Sequence, residues 1–101
     1  MKQLAIMVWP RPHTNEEEIK QIIVADGYFI SEVHTGEPVN TWNTAYKKAV
    51  LFVVETNAPL RISDILGELK KHCCFDTKGF EQPEEIKKAI NLFLKGPQKK
   101  R

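Results

Sequence analysis

Long apolar runs are missing from this sequence. No stretch approaches the eighteen or so consecutive apolar residues that a membrane span needs, and none has the layout of a signal peptide. A cytoplasmic protein with no membrane partner is therefore expected. Cysteine is nearly absent too: the only two are the neighbours Cys73 and Cys74. Adjacent cysteines form a strained disulfide and cannot tie distant segments together, so reduced thiols in or near the core are expected. With His72 they make three consecutive potential ligands, which do not converge easily on one ion, and no second Cys/His cluster completes a set of four. No metal and no cofactor is expected. The sequence also has no Ser-His-Asp order, no phosphate-binding glycine loop and no metal-ligand motif. That leaves little for catalysis, and no catalytic residue is assigned.

What is present is an ordinary globular composition: 101 residues, 42% hydrophobic and 28% charged, with a net charge of +2. This length suits one domain with its own core. Residues 1–95 are read as that domain. Residues 96–101 are read as a basic, disordered tail that carries Lys99, Lys100 and Arg101 just beyond Lys95. Charge is uneven, with 7 acids against 5 bases in residues 1–55 and 6 against 10 in residues 56–101.

The chain is organised around Lys47-Lys48-Ala49-Val50-Leu51-Phe52-Val53-Val54-Glu55. Its six apolar residues are too few for a helix, and three are β-branched valines, which favour a strand. Val50, Phe52 and Val54 point to one face and Ala49, Leu51 and Val53 to the other, so a central strand covered on both sides is expected. Leu4–Trp9 reads as another strand of this kind, stopped by Pro10 and Pro12. Thr14 with Glu17, or Asn15 with Glu18, caps a helix whose stripe is Ile19, Ile22 and Ile23 and which Gly27 ends. Tyr28–Val33 is read as an edge strand with imperfect alternation.

A loop from His34 to Tyr46 follows, long enough to suggest function. A helix from about Arg61 to His72 carries the stripe Ile62, Ile65, Leu66, Leu69 and Cys73. Cys73–Phe75 is read as a short or missing fourth strand and Asp76–Gly79 as a turn. Pro83, Glu84 and Glu85 open a last helix to Lys95, lined by Ile86, Ala89, Ile90 and Phe93.

The order β-α-β-β-α-(β)-α, with right-handed crossovers, places the first and central strands side by side and antiparallel. This is an α+β, ferredoxin-like split βαβ sheet. The first two helices cover one face. The last helix, or a second subunit, covers the other, and the helix has the matching stripe.

Two families share this arrangement. The segments Met1–Pro10, Glu17–Lys20 and Gly27–Val33 resemble the opening of PII-type signalling proteins, which implies an oligomeric regulator sensing a small molecule. The run Lys48–Val53 is similar to the central-strand signature of the RNA-recognition motif, which implies RNA binding, although Val50 stands where the first stacking aromatic belongs. The chain is accordingly read as a non-enzymatic binding or regulatory module, monomeric or a small homo-oligomer. Its expected partner is RNA or a nucleic-acid-handling protein complex. A PII-like sensor is the alternative, and a small ribonuclease using His13 and His34 comes third.

In this topology one end of the sheet gathers Trp9, Arg11, His13, His34, Trp42, Tyr46, Lys47 and Lys48. Together with Lys99, Lys100 and Arg101 of the tail these are the candidate ligand-binding residues. Cations that hold phosphates beside rings that stack on bases suit a nucleic acid. The competing readings are core aromatics, solvated loop histidines and a solvated basic end.

Overall fold

The computed structural model describes residues 2–11, 13–36, 49–57 and 61–95. Among these described residues seven elements follow one another: β1 (Lys2–Pro10), α1 (Glu16–Ala25), β2 (Phe29–Gly36), β3 (Ala49–Thr56), α2 (Ile62–His72), β4 (Cys74–Phe80) and α3 (Pro83–Lys95). They build an α+β protein with one antiparallel sheet of four strands in the order β2-β3-β1-β4. Among the described residues, no helix is long and apolar enough to cross a membrane.

The alternation along β1 and β3 explains the two cores. Leu4, Ile6 and Val8 of β1 pair with Val54, Phe52 and Val50 of β3, and all six face α1 and α2. Ile19 and Ile23 of α1 and Ile65 and Leu69 of α2 close over them. The intervening residues Ala5, Met7 and Trp9, with Ala49 and Leu51, face the other way and pack under Ile86 and Ala89 of α3. α3 starts beyond β4, touches every strand and reaches the far edge, where a Cβ on Gly36 of β2 would sit 3.7 Å from the Phe93 ring.

Local chemistry sets the ends of α1. Asn15 is the cap that forms: its side-chain oxygen accepts from the Glu18 N–H at 2.9 Å, and Glu16, Glu17 and Glu18 lie in the first turn. At the other end the Tyr28 N–H donates to the Ile23 carbonyl and the Gly27 N–H to the Val24 carbonyl. This pair of bonds needs a left-handed residue between them, and Gly27 has φ 94°.

Two expectations are corrected by the sheet. β2 begins at Phe29 and runs to Gly36, so His34 stands in a strand opposite Leu51, not in a loop. The imperfect alternation of β2 comes from a bulge between Ile30 and Glu32, where Ser31 Oγ donates to the Val53 carbonyl at 3.0 Å.

The fourth strand is neither short nor missing: β4 has seven residues and takes in the expected turn Asp76–Gly79. Polar residues are tolerated there because β4 is an edge strand. Gly79 is needed for closeness rather than for a turn, since a Cβ on it would lie 2.7 Å from Ile62 Cδ1 and 3.1 Å from Leu66 Cδ1.

Candidate functional site

Val8 pairs with Val50, and Gly36 with Ala49, so the ends of β1 and β2 and the start of β3 lie at one end of the sheet. Arg11 and His13 follow β1 at this end. Of the candidate residues, Trp42, Tyr46, Lys47, Lys48, Lys99, Lys100 and Arg101 lie outside the described residues. The other four can be placed.

Trp9 is 4% exposed and packs in the core beneath α3. Its ring serves packing and is not offered for stacking. His34 is half-buried on the α3 side of β2, its Nε2 2.8 Å from Glu32 Oε1. His13 is exposed in the connection to α1, which is closed by the Thr14 N–H donating to the Arg11 carbonyl at 3.0 Å. Among the described residues no hydrogen bond or ion pair joins the two histidines: His34 is held by Glu32 on its own strand.

Arg11 is drawn elsewhere. Its backbone N–H donates to the Cys73 carbonyl at 3.3 Å and its guanidinium to the Lys70 carbonyl at 3.4 Å. These bonds set it against the last turn of α2, which carries Lys70, Lys71 and His72. Cations there complement the helix carbonyls. Arg11, Lys70 and Lys71 are all exposed, and His72 is joined at 3.0 Å to Glu68. A basic corner results, built from the end of β1 and the end of α2. No family model matches this chain, and no curated protein matches it in sequence.

Sequence pattern alone does not single out Lys70 and Lys71. In a lone helix they pass for solvated C-terminal charges, and only the packing of α2 beside Arg11 makes them part of a group. Among the described residues, no set of three or more His, Cys, Asp or Glu side chains is placed to hold a metal ion.

Behind this corner sit the thiols. Cys73 caps α2 and Cys74 opens β4, both buried, with their sulfurs 3.5 Å apart. The Cys73 thiol also approaches the Leu69 carbonyl at 3.5 Å. Burial pushes both thiol pKa values up, Cys74 more strongly, and outweighs the opposing pull of Arg11. A neutral, buried thiol is a poor nucleophile. Iodoacetamide at neutral pH should therefore alkylate the folded protein at least tenfold more slowly than the protein in denaturant, as followed by mass spectrometry. Equal rates would mean that the Cys73–Cys74 junction opens freely.

Proposed function

We propose that the protein is a non-enzymatic binding module that contacts RNA through the basic corner, on a ferredoxin-like scaffold extended by α3. The scaffold reading is supported by the strand order β2-β3-β1-β4, with α1 and α2 on one face of the sheet. The observation that carries the functional reading is the bond from Arg11 to the Lys70 carbonyl, which gathers Arg11, Lys70 and Lys71 in one place. Point charges held on a rigid helix end suit phosphate oxygens. The open-sheet mode of the RNA-recognition motif is disfavoured, because α3 packs on the face where its bases would stack.

Salt dependence tests this. Wild-type protein titrated with single-stranded RNA should lose affinity as salt rises. Arg11→Ala/Lys70→Gln/Lys71→Gln should shallow the slope by about 2, at roughly 0.7 for each phosphate no longer neutralised. Equal slopes for the two proteins would remove the corner from the interface. RNA-independent binding of a nucleotide would instead favour the PII-type sensor.

A further inference from the structure

Among the described residues β2 is the outermost strand on its side of the sheet, and its central stretch reads Ser31-Glu32-Val33-His34-Thr35, with Val33 and His34 half-buried and the other three exposed. That order is chemically palindromic about Val33: a hydroxyl residue, a charged or ionisable one, valine, an ionisable one, a hydroxyl residue. We propose that β2 pairs antiparallel with β2 of a second copy of this chain, centred on Val33, to form a continuous eight-stranded sheet. This is independent of the RNA reading.

Register carries the argument. An antiparallel pair related by a twofold axis perpendicular to the sheet sets residues opposite each other on the same face, so the axis must pass through a residue position. Centring on Glu32 sets glutamate against glutamate. Centring on His34 sets imidazole against imidazole. Centring on Val33 sets Glu32 against His34 of the other copy twice, and valine against valine between them.

Cross-strand opposite charges favour a register and like charges disfavour it. Glu32 and His34 are already on one face, opposite Val53 and Leu51, and 2.8 Å apart within the strand. Pairing would join two such hydrogen-bonded Glu–His pairs into one four-residue array. Ser31 and Thr35 do not oppose it: their hydroxyls point to partners inside the subunit, the Val53 carbonyl and Glu16 at 3.4 Å. The backbone groups along the outer side of β2 have no neighbouring strand among the described residues, which is the condition for strand addition.

So short an interface is a weak one. Sedimentation equilibrium of the wild-type chain should show a reversible dimer with Kd between about 10 µM and 1 mM. Hydrogen exchange should slow at the β2 amides as concentration rises. A second pair of proteins fixes the register. His34→Glu carries acids at both positions, and Glu32→Lys/His34→Lys carries bases at both. Each alone should dimerise at least tenfold more weakly than wild type, while an equimolar mixture should form heterodimers at least as readily as wild type forms homodimers. Neither variant keeps the internal Glu32–His34 pair, so recovery on mixing reports only the attraction between chains. A wild-type protein that stays monomeric to 1 mM overturns the proposal, as does a dimer whose strength ignores these charges. Should either variant fail to fold, the wild-type concentration series and its amide protection still decide.

Discussion

Deleting residues 81–101 should convert the protein into a species that self-associates or precipitates, with Trp9 emission shifted to the red. α3 supplies Ile86 and Ala89, both 3% exposed, to the core on the second face of the sheet. Without them Ala5, Met7, Trp9 and Leu51 face water. Each large side chain newly exposed forfeits roughly 1.5–3 kcal/mol, and several together rival the 5–15 kcal/mol that holds a typical domain folded. The deletion is best made in a Trp42→Phe background, so that Trp9 is the only reporter. A truncated protein that remains monomeric, melts as before and keeps its blue emission would show that α3 contributes nothing to the core.

The second large effect belongs to Phe52. Among the described residues it is the bulkiest fully buried side chain, at the middle of β3, paired with Ile6 on one side and Val33 on the other. Phe52→Ala should cost about 3–5 kcal/mol in urea unfolding, because neighbours on two strands and two helices cannot all collapse into the space. Phe29→Ala is the control. Phe29 is 65% exposed, and its removal should change stability by less than about 0.5 kcal/mol. Equal costs for the two phenylalanines would mean that the burial pattern of β3 is wrong.

The same burial gives stability a sign with pH. Cys73, Cys74 and Tyr28 all have folded pKa values raised first by burial, with Asp26, Asp64 and Glu81 adding to the effect on Tyr28. In each, the folded state favours the protonated form. Their contribution is therefore constant below the ordinary thiol and phenol values. It is lost as pH rises above them, because the unfolded chain releases its protons first.

Much of this architecture is legible in local pattern. The parity of Val50, Phe52 and Val54 against Ala49, Leu51 and Val53 foretells two separate cores, because a strand period of two is indifferent to its neighbours. The stripe Ile62, Ile65, Leu66, Leu69 and Cys73 is the inner side of α2 for the same reason. The failures are of another kind. Asp76–Gly79 has the composition of a turn, and only the register with β1 and the closeness of Ile62 make it a strand.

His34 reads as a loop residue because a bulge at Ser31 breaks the alternation that would carry β2 onward. For the candidate site, strand order puts Arg11 just past the end of β1. It gives no hint that the guanidinium turns to the Lys70 carbonyl, since that depends on how α2 lies across the chain. Trp9 looks available only because its neighbours on α3 are far away in sequence.

The central position of β1 bears on how the chain comes into being. β1 is made before both strands it pairs with, so Lys2 waits for Thr56 and Ala5 waits for Phe80 before its two edges are satisfied. Pairings between residues so distant in sequence delay folding, since the intervening chain must be ordered before the pairing rewards it. During synthesis Leu4-Ala5-Ile6-Met7-Val8-Trp9 therefore stands as an uncharged, β-prone hexamer with both edges open. The emerging chain is most exposed to misassembly until β3 is made, and chaperone capture of the nascent protein should fall sharply once residue 56 has cleared the ribosome.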